Sequence, residues 1–193
     1  LVADEKLASL FARLGDVQAA ERLCEWLLGQ EEAPLGPYRR ACVEATLGDV
    51  RLQLGEPAAA LAPLRAALPV LSSYGDALGE ARAHELLGQA LLVTGEEQEA
   101  LAHLEVASHH FQAGEQWIDA TRVTEEIEAR LRRGALSQAG QARAQEIVQG
   151  QVRRQYPGAY RHPLLRRFKQ LVLASLPLVV ILIPLWTCLL YTS

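Results

Sequence analysis

Three histidines, His103, His109 and His110, lie close together in this 193-residue chain and are the first candidates for metal binding. On a helix, adjacent side chains point about 100° apart, so His109 and His110 cannot hold one ion together. His103 lies six and seven residues before them, which is not the four-residue spacing that helical metal ligands use. The pattern therefore predicts ordinary helix histidines and no metal site.

The acidic residues and the cysteines do not form a catalytic pattern either. Glu96 and Glu97, in "GEEQEAL", are the nearest approach to an acid pair, but their position favours the start of a helix over acid–base chemistry. Cys24, Cys42 and Cys188 have no CxxC spacing and look like thiols of a reducing compartment. The chain also lacks a P-loop, a GxSxG elbow, an HExxH motif and a kinase signature. We therefore predict no enzyme, no cofactor and no metal.

A repeat with a period of about 40 residues accounts for most of the chain. The segments "LASLFARLGDVQAAERL", "LGDVRLQLGEPAAALAPL" and "LGQALLVTGEEQEALAHL" begin at Leu7, Leu47 and Leu87. Small residues and turn glycines recur at the same 40-residue spacing. They form three sets: Ala8, Gly48 and Gly88; Gly15, Gly55 and Gly95; Ala20, Ala60 and Ala100. A second glycine set, which marks the turns between repeats, comprises Gly36, Gly75 and Gly114. Self-similarity at such a period is the sequence signature of a repeat architecture.

Each repeat predicts two helices. In the third repeat, apolar residues recur at helical spacing up to Gly95, which is placed to end the first helix. Glu97 then opens the second helix, where an acidic residue complements the helix dipole, and Pro57 occupies the same early position in the second repeat. A degraded fourth unit follows, with helices over about 116–133 and 137–152.

Within the aligned segments, Leu-Gly is followed by a large apolar residue, then Gly-Asp, then Ala-Leu. This order resembles the sequence pattern of the tetratricopeptide repeat (TPR) family. Phe11 and Leu91 occupy the large position, whereas Arg51 departs from it. The usual TPR unit is shorter, at about 34 residues, so the likeness is to the long variety of this repeat. The resemblance covers residues 1–152 and implies an all-α, right-handed helix-turn-helix solenoid. Its repeats are expected at about 1–36, 37–75, 76–114 and 115–152, with an apolar helix at the C-terminus.

TPR proteins bind extended peptides or partner helices along the inner face of the first helices, so the resemblance implies a peptide-binding groove here. The expected groove residues are Glu5, Ser9, Ala12, Arg13, Ala45, Asp49, Leu52, Arg82, Glu85, Gln89 and Leu92. One subfamily grips C-terminal carboxylates, but Ser9, Asp49 and Gln89 stand where it would need asparagine. We therefore expect no clamp for such a tail. The alternative is that these positions are only solvated and that the stack is a spacer.

Charge separates an acidic body from a basic and apolar tail. Six basic residues and no acidic residue follow position 152, which leaves a net charge of −10 before it. This negative charge argues against nucleic-acid binding, which requires a basic surface. The predicted basic linker covers 153–170 and includes the juxtamembrane residues Arg161, Arg166, Arg167 and Lys169.

Residues 171–191 are almost wholly apolar. As a helix they would span about 31 Å, against a bilayer core of about 30 Å. With the basic flank, they predict a transmembrane helix that places the repeats on the cytoplasmic side. The alternative is a helix buried in a larger domain. From about Cys188 the chain ends in "CLLYTS", which resembles a translated sequencing adapter, so the natural segment is expected to stop near that residue.

The function that these patterns predict is a non-catalytic protein–protein interaction scaffold, tethered to a membrane and facing the cytoplasm. Its partner would be a protein or peptide, with no small-molecule substrate. The alternative is the regulatory or sensor arm of a larger bacterial signalling ATPase or transcription activator. The ratio of 17 Arg to 2 Lys is typical of a GC-rich coding sequence, which favours a bacterial inner membrane. Without a transmembrane segment, the expected location is the cytoplasm.

Overall fold

The computed structural model describes residues 2–30 and 35–155 of the chain, and this part contains eight helices and no strand. The helices are α1 (Val2–Leu14), α2 (Val17–Leu28), α3 (Pro37–Gln53), α4 (Pro57–Ser73), α5 (Ala77–Thr94), α6 (Glu97–Ala113), α7 (Trp117–Arg132) and α8 (Gln138–Gln155). Helices that follow one another in sequence pack together from α1 to α7. The predicted all-α architecture of stacked helix pairs is therefore confirmed.

The Cα packing divides the chain into two units, Leu1–Val148 and Gln149–Ser193. Nearly all described residues belong to the first unit, and α8 crosses the boundary. Within the first unit, the first helix of one pair also packs on the first helix of the next, since α1 contacts α3 and α3 contacts α5. A repeat that cannot bury its apolar stripe alone buries it in this way on its neighbour.

Buried small residues allow the helices of a pair to approach closely. A Cβ added at Gly88 would lie 2.7 Å from Leu104 Cγ and 3.0 Å from the Ala100 carbonyl oxygen. At Gly48, the equivalent position one repeat earlier, an added Cβ would lie 2.6 Å from Leu64 Cδ2. Because heavy atoms that are not bonded cannot approach so closely, the second and third repeats require glycine here, whereas the first repeat has the buried Ala8 at the equivalent position. Both glycines occupy the same position of the repeat.

Most of the described turns between helices use a residue with positive φ. Gly95 adopts φ 97° as the C-cap of α5, and its N–H donates to the carbonyl oxygen of Leu91, which is the predicted role of this glycine. The turn between α6 and α7 differs, because Gly114 has φ −85° and the left-handed conformation falls on Glu115, with φ 59°. Glu115 is the one non-glycine residue with positive φ in the described part of the chain.

A carboxylate on α6 holds the segment that leads into α8. Glu97 accepts hydrogen bonds from the backbone N–H of Ser137, at 3.0 Å, and from its hydroxyl, at 2.5 Å. These bonds lower the pKa of the Glu97 carboxyl. The acidic residue that the sequence pattern assigned to the helix start therefore also joins two elements that lie one repeat apart in the sequence.

Among the helices that the structure describes, none is both long and apolar enough to cross a membrane. The predicted linker at 153–170 lies outside the described residues beyond position 155, and the predicted transmembrane segment at 171–191 lies wholly outside them. The basic residues Arg161, Arg166, Arg167 and Lys169 lie outside them as well.

Candidate site on the first helices

The residues predicted to line a groove lie on α1, α3 and α5, the first helices of successive pairs. Most of them are exposed or half-buried: Ser9, Arg13, Ala45, Asp49, Leu52, Arg82 and Gln89. Ala12, Glu85 and Leu92 are buried inside the stack. Glu5 lies on α1, and its side chain is not among those that the structure describes.

Three of these side chains form a chain of ion pairs that crosses from α3 to α7. Arg82 on α5 lies 3.4 Å from Asp49 Oδ2 on α3 and 2.8 Å from Glu85 Oε2 on its own helix. The same Glu85 oxygen lies 3.1 Å from Arg122 Nη2 on α7, and Arg122 also pairs with Asp119 at 2.8 Å. We call Asp49, Arg82, Glu85, Arg122 and Asp119 the charge ladder. It joins three successive first helices through charge-assisted hydrogen bonds.

Glu85 is the buried centre of the charge ladder, with 0% of its side chain exposed. Burial raises the pKa of its carboxyl, while Arg82 and Arg122 oppose that shift. Its Oε2 accepts from both guanidinium groups, whereas its Oε1 is buried without a hydrogen-bond partner in the described part of the structure. The two arginines are therefore required, because a buried carboxylate without cations would be strongly destabilising.

Arg82 and Arg122 are fixed in position but remain partly open to solvent. Their side chains are 39% and 46% exposed, in contrast to that of Glu85. Desolvation by burial opposes the charge on Arg82, but Glu85 and Asp49 together outweigh it and raise the pKa of the guanidinium. Arg82 therefore stays cationic, and both arginines present N–H donors at set positions on neighbouring helices.

A second polar link lies further along the same helices. Gln89 on α5 donates to Glu126 Oε2 on α7 at 2.9 Å, and Glu126 Oε1 lies 3.7 Å from Arg130 on its own helix. With the charge ladder, this link means that two predicted residues of α5, Glu85 and Gln89, bond to side chains of α7. The residues on α7 were not predicted, although the sequence held a signal for one of them: Arg122 follows Arg82 by one full repeat.

A histidine pair lies between the helices of the third pair. His84 on α5 and His103 on α6 face each other with their Nδ1 atoms 2.8 Å apart and their ring centroids 5.0 Å apart. Burial lowers the pKa of His84 to about 4, with a further contribution from His103, and burial also lowers the pKa of His103. Sequence spacing could not reveal this pair, because the two residues are far apart in the sequence and lie on different helices.

The one fully buried cysteine in the described residues is Cys24 on α2. Desolvation by burial, followed by the charges of Glu25 and Glu21, raises the pKa of its thiol to about 12. At neutral pH this thiol is therefore protonated and a poor nucleophile.

No protein-family model matches the chain, and no curated protein does so. Two solved structures align with it, both of a putative kinesin light chain from Podosopora anserina with nearly identical TPR-like repeats, one of them a point variant of that protein. The chain is 16% and 17% identical to them, the alignments cover 90% of this chain and 93% of theirs, and the TM-score is 0.45 for both. A likeness of this degree says nothing about what this chain binds.

Proposed function

We propose that the chain is a non-catalytic scaffold that binds a protein segment along the face formed by α3, α5 and α7. The observation that carries the proposal is the charge ladder, which leaves Arg82 and Arg122 half exposed on neighbouring helices. Asp49 and Asp119, the outer carboxylates, are 31% and 39% exposed beside them. Fixed charges of alternating sign give a partner its register and orientation more than its affinity.

The chemistry of this face favours an extended peptide or a helix with mixed charges. A partner carboxylate can bind the free N–H donors of Arg82 or Arg122, and a partner cation can approach Asp49 or Asp119. The ion pairs within the charge ladder keep these groups in place before binding, so less side-chain entropy is lost on association. Glu85 supports the arrangement from below and makes no contact with the partner, because it is buried.

The proposal is tested with a peptide selected from a random library on the intact chain. Its affinity is then measured by calorimetry for the wild type, for Arg82→Glu and for Arg22→Glu, and circular dichroism establishes that each variant is folded, because Arg82 also pairs with the buried Glu85. Arg22 is an exposed arginine on α2, so this control makes the same charge change on a second helix. We expect Arg82→Glu to weaken binding at least about tenfold, since the reversal places like charges opposite each other, which costs more than about 1.4 kcal/mol. Equal affinities for the two variants would refute the proposed face.

We also propose that residues 171–191 tether the scaffold to a membrane with the helix pairs on the cytoplasmic side. This part rests on the uncharged segment and its basic flank. The test is carbonate extraction of membranes from cells that produce the full chain. Retention of the wild type, with release of a Val180→Lys and Leu182→Lys double variant, supports the tether. Release of both proteins would refute the membrane tether. The proposed protein-binding face would be unaffected by that result.

A further inference from the structure

The histidine pair joins two helices, and each ring directs its Nδ1 atom toward the other ring. His84 is on α5 and His103 on α6, and their Nδ1 atoms are 2.8 Å apart. The two rings are tilted by 32°, and both side chains are half-buried between the helices. A third imidazole is close, because the ring centroid of His110 lies 6.3 Å from that of His84. Imidazole nitrogens that converge in this way are a common ligand set for transition metals.

A carboxylate lies near the far side of one of the two rings. Glu99 lies one turn before His103 on α6, with its Oε1 3.8 Å from His103 Nε2. The same oxygen accepts a hydrogen bond of 2.9 Å from Arg65, and its negative charge favours the His103 tautomer that carries the proton on Nε2 and the lone pair on Nδ1. Metal-binding histidines commonly have a carboxylate or carbonyl beside the nitrogen that does not bind the metal.

We propose that His84 and His103 form a binding site for one divalent transition-metal ion of the Cu²⁺, Ni²⁺ and Zn²⁺ group. Two nitrogens that bind one ion at about 2.0–2.1 Å each lie roughly 2.9–3.4 Å apart, so the rings have to separate by a few tenths of an ångström and turn until both lone pairs point at the ion instead of at each other. No group of three or more His, Cys, Asp or Glu side chains in the described residues is arranged to hold a metal. Water therefore completes the coordination, and the ion binds across the α5–α6 contact independently of the proposed protein-binding face.

The test uses the intact chain and the metal ions alone. Zn²⁺ titration by calorimetry measures affinity and stoichiometry, and electron paramagnetic resonance of one equivalent of Cu²⁺ counts the bound nitrogens. We expect one tight equivalent and the splitting pattern of two imidazole nitrogens. His84→Gln and His103→Gln keep a polar side chain of similar length, and each is expected to weaken Zn²⁺ binding at least about tenfold, as loss of a ligand or its support does.

His109→Gln is the matched control, because His109 is an exposed residue on the same helix as His103. It should bind Zn²⁺ as the wild type does. A His84→Gln and His103→Gln double variant defines the background from all other groups, and circular dichroism establishes that each variant is folded. Wild-type binding no tighter than that of the double variant, or a Cu²⁺ spectrum unchanged by the double substitution, would overturn the site and leave a simple hydrogen bond between the two rings.

Discussion

Arg51 Nη1 donates a hydrogen bond of 3.1 Å to the backbone carbonyl oxygen of Ala59, on the neighbouring helix α4. This carbonyl needs an outside donor, because Pro63 lies four residues further along α4 and has no N–H. The same guanidinium pairs with Glu25 at 3.2 Å and with Glu21 at 3.6 Å on α2. The residue that departs from the repeat pattern therefore compensates for a proline in the adjacent helix.

We predict that Arg51→Leu lowers the free energy of unfolding by about 1–2 kcal/mol, since it leaves a part-buried carbonyl without a donor. In a Pro63→Ala background the alanine N–H can donate to Ala59, so the same substitution should be less destabilising by about 1 kcal/mol. Urea unfolding of the four proteins measures this coupling. Equal losses in both backgrounds would mean that Arg51 acts only through Glu25 and Glu21.

A substitution at Gly88 tests the helix packing, because a Cβ added there would lie 2.7 Å from Leu104 Cγ. We predict that Gly88→Ala lowers the free energy of unfolding by about 1–3 kcal/mol through overpacking. Leu104→Ala, which vacates the space, should then be less damaging in the Gly88→Ala background than in the wild type. Gly114→Ala is the control, because its added Cβ would meet no atom closer than 3.5 Å. Similar losses at Gly88 and Gly114, measured by urea unfolding, would contradict the close contact.

Glu115 has a left-handed backbone conformation, at φ 59°. Residues that carry a Cβ atom rarely adopt this conformation. Glu115→Gly should therefore raise the free energy of unfolding by roughly 0.5–1 kcal/mol, after allowing for the greater flexibility of glycine in the unfolded chain. Glu115→Ala keeps the Cβ and should change stability by less than about 0.5 kcal/mol. A thermal melt in which the glycine variant is no more stable than the alanine variant would argue against this turn.

Cys24 tests the burial of the first helix pair. Since the pKa of its thiol is raised to about 12, almost none of it is thiolate at pH 8, and iodoacetamide should leave it unmodified in the native protein. In urea the pKa returns toward its ordinary value, and alkylation should follow within minutes. Mass spectrometry of the digested protein reports each cysteine separately. Native Cys24 that reacts as fast as unfolded Cys24 would show that α2 does not pack as described.

The repeat spacing predicted the helix pairs and the helix end at Gly95, because each depends on apolar periodicity or on backbone freedom at one position. It did not predict the His84 and His103 pair or the role of Arg51. Those depend on which side chains neighbouring helices bring together, and a repeat pattern does not specify that. Burial of Glu85 was missed for a related reason: a carboxylate normally indicates an exposed position, and its two arginine partners lie on different helices.

The central claim is that the face of α3, α5 and α7 binds a protein segment. Backbone amide NMR of the intact chain, titrated with the selected peptide, measures this directly. We predict that the shift changes cluster around Asp49, Arg82 and Arg122 and are lost in Arg82→Glu. Changes that cluster on α2, α4 and α6, and that persist in Arg82→Glu, would contradict the claim.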